Sequence, residues 1–180
     1  NGIKLEDYKY NPQYVEEFKE RFNITNEKVV IGVGFYFKRK GIDDFFEVAR
    51  KMKDVKFIWF GYLNKILTTS YILKAIKHKP DNVILPGYIK GNIIKGAFSY
   101  ASCMFFPTHE ETEGIVALEA LATNLTLVTR DIGVYEGWLE NNFNCYKGKT
   151  NEEFVSLIRK AIDEDNTSIH EEGYKVVEER

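Results

Sequence analysis

Residues 103–123, with the sequence CMFFPTHEETEGIVALEALAT, decide the fold predicted for this chain. The apolar run at 103–106 is typical of a buried strand, and it ends at Pro107. A polar loop follows, and an apolar helix begins after Gly114. In an open α/β sheet, ligands bind where such loops leave the carboxyl ends of the strands. The free N–H groups of the next helix can also bind an anion there. The stretch therefore predicts a ligand site at the edge of an α/β sheet.

The helix that follows Gly114 carries one carboxylate among apolar residues. All residues from Ile115 to Ala122 are apolar except Glu119, so we expect the helix to be buried. Burying an unpaired carboxylate costs on the order of several kcal/mol or forces it neutral. A vicinal diol, such as the ribose of a nucleotide, offers the two donors that this carboxylate needs. Glu119 is therefore a candidate ribose ligand.

Short apolar segments alternate with helical patterns along the chain. Strands are predicted at 28–37, 55–60, 82–85, 103–106, 125–129 and 142–146. Helices are predicted after Asn11, at 41–53, 70–77, 92–100, 115–122, 134–139 and 151–162, and in the charged tail after Asn166. This alternation predicts a Rossmann-like α/β domain of three layers, with a parallel sheet between two layers of helices.

Composition narrows the classes of function. With 180 residues the chain is one domain with a sizeable core, and its net charge of −2 gives no reason to expect a nucleic-acid partner. No segment approaches the roughly 18 apolar residues of a membrane span. Cys103 and Cys145 fit small core residues of a cytoplasmic protein, although a disulfide between them stays open. Because the chain begins without Met and without a signal-peptide pattern, we expect an excised part of a longer protein.

A basic turn follows the first predicted strand. Residues 32–41 read GVGFYFKRKG, and Phe37 stands where a dinucleotide fingerprint needs its third glycine, so that interpretation fails. Three cations just before a helix oppose its macrodipole. A solvated turn offset by the aspartates that follow accounts for Lys38 and Arg39. For Lys40, next to a glycine, a bound phosphate is the better explanation.

The acidic loop before the central helix does not predict a metal site. His109, Glu110, Glu111 and Glu113 lack a paired histidine spacing. Acids that complement a helix dipole account for Glu110 and Glu113, but they do not account for Glu119.

Together these segments resemble a known family. Glu111 and Glu119, separated by seven residues in the frame ETEGIVALEALA, are similar to the donor-site signature of retaining glycosyltransferases of family four, which have the two-domain GT-B architecture. The resemblance extends to residues 33–34, 40–41, 60–61 and 86–88, and to Asn1-Gly2-Ile3, which is similar to the hinge after the first domain. It implies that residues 1–180 are the nucleotide-sugar-binding C-terminal domain, and that the N-terminal acceptor domain lies outside this chain.

The resemblance implies a role for each matched position. Lys40 would neutralise the departing diphosphate, Glu111 would contact the donor sugar and Glu119 would hold the ribose. Other donor contacts would come from Gly34, Phe35, Arg39, Tyr88, Ile89, Gly114, Ile115 and Val116. Tyr88 and Ile89 would flank the base, and the three residues from Gly114 would offer N–H groups. The family usually has Arg at the position of Phe35, so that phosphate contact is either lost here or supplied by Arg39 or Lys38.

The implied activity is retaining transfer from a nucleotide sugar, UDP-glucose by family habit, to a hydroxyl acceptor, with no metal or other cofactor. Phe35 and Glu113, together with residues 130–132 and 134–136, are similar to the branch that glucosylates diacylglycerol in Gram-positive bacteria. This implies a lipid acceptor and a peripheral location at the inner face of the membrane. The basic, apolar stretch 65–79 fits membrane contact, although an ordinary amphipathic helix is the simpler explanation. The alternatives are a non-catalytic nucleotide-binding module, a nucleotide-sugar epimerase and a glycan phosphorylase.

Overall fold

A single parallel sheet forms the centre of the molecule. The computed structural model describes residues 3–180, so the predicted hinge lies outside the described residues except for Ile3. Within this range the sheet has the order β3-β2-β1-β4-β5-β6, with every neighbouring pair parallel. The strands are β1 Val29–Val33, β2 Lys56–Phe60, β3 Val83–Gly87, β4 Cys103–Phe106, β5 Leu127–Arg130 and β6 Tyr146–Gly148. The predicted parallel α/β architecture is therefore confirmed.

Helices connect the strands and cover the sheet. They are α1 Pro12–Arg21, α2 Ile42–Lys51, α3 Ser70–Lys77, α4 Asn92–Tyr100, α5 Ile115–Ala122, α6 Asn151–Asp163 and α7 Thr167–Glu179. The helix predicted after Asn11 is α1; Asn11 caps it by accepting a hydrogen bond from Gln13 N, and Pro12 takes the first position. Short 3-10 turns lie at Leu5–Tyr8, Lys38–Lys40 and Gly133–Tyr135.

Two apolar cores separate the layers. On one face of the sheet, Ile31 of β1 packs with residues of α1, α4, α5 and α7. On the other face, the neighbouring Val30 packs with residues of α2, α3 and α6. The alternation of side chains along each strand sends successive residues to opposite layers. The three-layer prediction is thus confirmed, and α5 is buried over most of its surface as expected.

Three predicted elements are clearly shorter in the structure. The strand predicted at 28–37 is β1, which ends at Val33, and the glycine-containing turn follows it. The helix predicted at 134–139 is only the 3-10 turn Gly133–Tyr135, because Gly137 adopts a φ of 82°, which no α-helix contains. The strand predicted at 142–146 begins at Tyr146, since Asn142 also has a positive φ of 61°. Cys103 and Cys145 are both buried and free, as small core residues.

The sheet has its switch point between β1 and β4. The chain moves outward from β1 to β3 and then returns to the other side of β1. Loops on the two sides of this point leave in opposite directions and open a crevice at the carboxyl ends of the strands.

Candidate functional site

Glycine main chain forms the floor of this crevice. Gly34 and Gly61 directly follow β1 and β2, and Gly87 ends β3. Gly34 N donates a hydrogen bond to Phe60 O at 2.9 Å, and Gly61 N donates to Gly87 O at 3.1 Å. A Cβ atom at Gly61 would collide with the carbonyl oxygen of Gly34. Only glycine therefore allows these strand ends to lie so close together, and a ligand there meets backbone rather than side chains.

A cavity of about 330 Å³ opens above this floor. Five residues selected from the sequence line it together: Gly34, Phe35, Tyr88, Ile89 and Glu119. Further lining comes from residues that the sequence did not indicate: Tyr8, Tyr62, Lys90, Lys95, Ser99 and Thr123. The walls are aromatic and apolar and carry a few polar groups, which is the usual composition of a small-molecule site.

The Glu119 carboxylate already has one partner in this cavity. Its Oε1 accepts a hydrogen bond from the Tyr8 hydroxyl at 2.7 Å. Burial raises the pKa of Glu119, and the hydrogen bond from Tyr8 opposes that rise. The sequence contains no pattern that links Tyr8 to Glu119, because the two residues are 111 positions apart.

Lys40 and Glu111 form a second polar centre outside the cavity lining. Lys40 Nζ lies 2.7 Å from Glu111 Oε2, and each side chain is only 13% exposed. The other carboxylate oxygen of Glu111 accepts a hydrogen bond from Thr112 N at 3.0 Å. The sequence selected both residues but did not predict that they pair. Their contact joins a cation of the turn before α2 to a carboxylate of the loop that precedes α5.

Main-chain contacts hold that loop against the basic turn. His109 N donates to Arg39 O at 2.7 Å, and Thr108 Oγ1 donates to the same oxygen at 3.2 Å. Gly41 has a φ of 76°, and a Cβ there would collide with the carbonyl of Pro107. The glycine after Lys40 therefore lets the two segments meet, and this contact places Lys40 opposite Glu111.

The side chains of Arg39 and Lys38 lie on aromatic rings. The Arg39 guanidinium is 5.6 Å from the centre of the Phe37 ring, and Lys38 Nζ is 4.8 Å from that of Tyr71. Phe35 stacks on Phe37 at 5.3 Å between ring centres and meets the edge of Tyr62. The predicted phosphate contact of Arg39 or Lys38 stays a prediction, as does the donor contact of Phe35.

The start of α5 is shaped by Gly114. This glycine has a φ of 69°, and a Cβ would lie 3.0 Å from the Trp138 ring. Ile115 and Val116 begin the helix, and the N–H groups of a first helical turn have no helical acceptor. The predicted N–H donors at 114–116 therefore lie at a helix N-terminus, directly after the Glu111 loop.

A hydrogen-bond network that the sequence did not reveal holds the loop before α5 in place. Arg130 at the end of β5 donates to Asp44 Oδ2 at 2.7 Å and to the carbonyl of Pro107 at 3.2 Å. His109 Nε2 lies 2.9 Å from the same Asp44 oxygen. The position of Arg130 at the carboxyl end of a strand could have indicated that this residue lies near the site. Over residues 3–180, no cluster of three or more potential metal ligands is present.

The stretch at 65–79 exposes several apolar side chains. Ile66 is 92% exposed, and Leu67 and Tyr71 are also exposed, whereas Ile72 of α3 is fully buried. Lys65 and Lys74 in the same stretch are exposed, and the Tyr71 hydroxyl donates to Asp43 Oδ2 at 3.1 Å. None of the helices at 3–180 is long and apolar enough to cross a bilayer.

Comparison with known proteins places the chain in a family. A family model described as "Glycosyl transferases group 1" matches residues 15–176. The chain belongs to this family. As a group 1 glycosyltransferase sequence it is 54% identical over 181 residues to the processive diacylglycerol alpha-glucosyltransferase of Acholeplasma laidlawii, covering 100% of this chain and 54% of that protein. It is 29% identical over 127 residues to the alpha-galactosylglucosyldiacylglycerol synthase of Streptococcus pneumoniae, covering 69% of this chain and 34% of that protein.

Solved structures confirm the fold of this group 1 glycosyltransferase chain. Anabaena Alr3699/HepE, solved in complex with UDP and glucose, superposes with a TM-score of 0.86 at 17% identity, over 100% of this chain and 51% of that one. The C-terminal domain of a group 1 family protein (LpcC) from Francisella tularensis superposes with a TM-score of 0.73 at 19% identity, over 99% and 98% of the two chains. The chain thus spans about half the length of the first curated relative and about a third of the second.

Proposed function

We propose that this chain is the donor-binding domain of a retaining glycosyltransferase that transfers glucose from UDP-glucose to a hydroxyl of a diacylglycerol-type lipid. The observation that carries the proposal is the Glu119 carboxylate, which lines an aromatic cavity at the carboxyl ends of β1, β2 and β3. A partly buried carboxylate there is suited to the two hydroxyls of a ribose. The name of the Acholeplasma relative supports the reaction, and the UDP complex of the Anabaena protein supports the nucleotide.

The cavity accounts for the binding half of the proposal. Glu119 accepts the ribose hydroxyls, and Tyr88 and Ile89, which line the same cavity, flank the base. The glycine floor at Gly34 lets the diphosphate approach the backbone. The N–H groups at 114–116 and the positive end of the α5 dipole then bind its charge.

The Lys40–Glu111 pair accounts for the chemical half. When the bond from the sugar to the diphosphate breaks, negative charge develops on the leaving phosphate. A fixed cation next to that charge stabilises the transition state more than the ground state. Glu111 holds the Lys40 ammonium in position through the 2.7 Å contact and turns its remaining acceptor capacity to the sugar hydroxyls. The proposal assigns no step to a metal.

The acceptor belongs to a second domain in this proposal. The first curated relative is about twice as long as the chain, and the Francisella C-terminal domain matches nearly all of it. An N-terminal domain would then complete the cleft and bind the acceptor. The isolated chain should bind UDP weakly and transfer no glucose, and robust turnover by this chain alone would contradict the division.

A lipid acceptor requires contact with a membrane surface. The exposed Ile66, Leu67 and Tyr71, with Lys65 and Lys74 beside them, support peripheral binding to the cytoplasmic face. Sedimentation with anionic vesicles should exceed that with neutral vesicles, and Ile66→Ser/Leu67→Ser should reduce it. Equal partitioning to both vesicle types would count against this contact.

Titration calorimetry with UDP and UDP-glucose tests the two glutamate roles. Glu119→Ala should weaken both ligands by about 1.5–3 kcal/mol, the usual range for a hydrogen bond to a charged group. Glu111→Ala should weaken UDP-glucose and leave UDP nearly unchanged. Glu110→Ala is the matched control, because this exposed carboxylate lies in the same loop. If both variants lose UDP equally, the assignment of ribose to one and sugar to the other is wrong.

The same titration of a full-length protein, together with an assay of glucose transfer, distinguishes an enzyme from a non-catalytic binding module. UDP-glucose binding without glucose transfer would favour a non-catalytic nucleotide-binding module. Turnover of the nucleotide sugar without an acceptor would favour an epimerase.

A further inference from the structure

The segment before α1 contributes Tyr8 and Lys9 to the lining of the cavity. Tyr8 is the last residue of the 3-10 turn Leu5–Tyr8, and this turn packs on α5. Its hydroxyl donates to Glu119 Oε1 at 2.7 Å, and both residues line the same cavity. The family model begins at residue 15, so Tyr8 lies outside the matched region.

The contact leaves most of the carboxylate available. An ionised carboxylate has about four acceptor positions, and Tyr8 occupies one of them. Among residues 3–180, Tyr8 is the sole side-chain partner of the Glu119 carboxylate. Glu119 Oε2 and the second position on Oε1 can therefore accept two ligand hydroxyls. The Tyr8 hydroxyl donates one hydrogen bond to Glu119, and the lone pairs of its oxygen can still accept a hydrogen bond from a ligand.

We propose that Tyr8 is a positioning residue for the ribose of the nucleotide, because its hydroxyl fixes the orientation of the Glu119 carboxylate before the ligand arrives. This inference rests on the proposed function. A carboxylate that is held in one rotamer loses less conformational entropy when it binds two hydroxyls. The same hydrogen bond favours the ionised form, which is the form that can accept both.

Other charged and titratable groups face the carboxylate from the surrounding elements. The cavity lining includes Lys9, Lys90, Lys95, Tyr62 and Tyr88, and Asp7 lies 3.6 Å from Lys95. These groups are the same in the variants below. Differences between the variants in their pH dependence therefore report on the pair of Tyr8 and Glu119.

The experiment is calorimetric titration of the chain with UDP and with 2′-deoxy-UDP at pH of about 6 and about 8. Wild type should prefer UDP about tenfold, since a hydrogen bond to a charged acceptor is lost with the 2′-hydroxyl. Tyr8→Phe keeps the ring and should weaken UDP about fivefold while reducing the preference to about twofold. Its UDP affinity should also fall more on acidification, because the pKa of Glu119 rises further without the hydroxyl.

Two further variants separate the possible failures. Tyr10→Phe is the matched control, since Tyr10 is 69% exposed and lies two residues along the chain, and it should behave as wild type. Glu119→Gln should weaken the binding of UDP at both pH values. The ratio of UDP affinity to 2′-deoxy-UDP affinity does not depend on the fraction of protein that is folded. This ratio therefore tests the role of Tyr8 even if Tyr8→Phe is less stable than wild type.

If wild type does not bind UDP, the proposed function is wrong. If wild type binds and Glu119→Gln weakens binding while Tyr8→Phe keeps both the affinity and the preference for UDP, the inference alone is overturned. Tighter binding of UDP by Tyr8→Phe would also overturn it, because Tyr8 would then compete with the ribose.

Discussion

Removing the charge of Lys40 isolates a carboxylate that is largely shielded from water. Lys40→Met keeps the length of the side chain but leaves Glu111 without its cation. Breaking a fully buried pair costs about 3–5 kcal/mol, and an exposed pair contributes about 0–1 kcal/mol. Both side chains are 13% exposed and 2.7 Å apart, which is close to the buried case. We expect Lys40→Met to lower the free energy of unfolding by about 2–3 kcal/mol.

A double-mutant cycle isolates the interaction itself. Glu111→Gln keeps an acceptor for the Thr112 N–H group, so the cycle of Lys40→Met and Glu111→Gln reports mainly on the charge pair. Urea unfolding of the four proteins, followed by circular dichroism, should give a coupling energy of about 1.5–2.5 kcal/mol.

The chain offers a matched control for this cycle. Lys51 and Glu152 are also 2.7 Å apart, but their side chains are 46% and 74% exposed. Their cycle should give no more than about 0.5 kcal/mol. A Lys40–Glu111 coupling as small as that of the exposed pair would refute the argument, because it would mean that burial adds nothing to the contact.

Three further changes test other parts of the structure by urea unfolding. Gly61→Ala should lower the free energy of unfolding by at least about 2 kcal/mol, because the new Cβ collides with the Gly34 carbonyl. Gly133→Ala is its control, since a Cβ there meets nothing within 4 Å, and an equal loss in both would contradict the close-approach argument. Burial raises the pKa of Glu119, so the folded state binds this proton more tightly than the unfolded chain does. The protonated Glu119 therefore contributes to the free energy of unfolding below the ordinary pKa of a glutamate, and this contribution is lost as pH rises through the pKa of the folded state. Glu119→Gln should remove this loss of stability at rising pH. If the variant and the wild type show the same pH dependence of the free energy of unfolding, the argument is wrong. Asn82→Ala should cost about 1–3 kcal/mol, because Asn82 Nδ2 lies 2.9–3.0 Å from three main-chain carbonyl oxygens and its two N–H groups donate among them. A loss under about 0.5 kcal/mol would contradict this.

The sequence predicts the parts of this molecule that depend on local pattern. The strand, loop and helix of residues 103–123 are found as expected, and so is the burial of α5. Glu119 is recognisable because a carboxylate in an apolar helix needs a partner. The donor contacts named from the family resemblance remain predictions, although five of those residues line one cavity.

The pairings between distant residues could not be predicted from the sequence. Tyr8 and Glu119 are 111 positions apart, and Asp44 and Arg130 are 86 positions apart. No periodicity links such residues, because the fold alone brings them together. Lys40 was expected to hold a phosphate, and the structure also gives it a carboxylate partner 71 positions away.

The glycine floor has a consequence for how such a site can diversify. Because the surface beneath a ligand at Gly34 and Gly61 is main chain, a substitution there damages the fold before it can reshape the pocket. Variation that survives must accumulate on the rim instead, at side chains such as Phe35, Tyr62 and Tyr88, which are exposed and carry little of the core. A library aimed at new donors should therefore hold the strand ends constant and randomise these three aromatic positions.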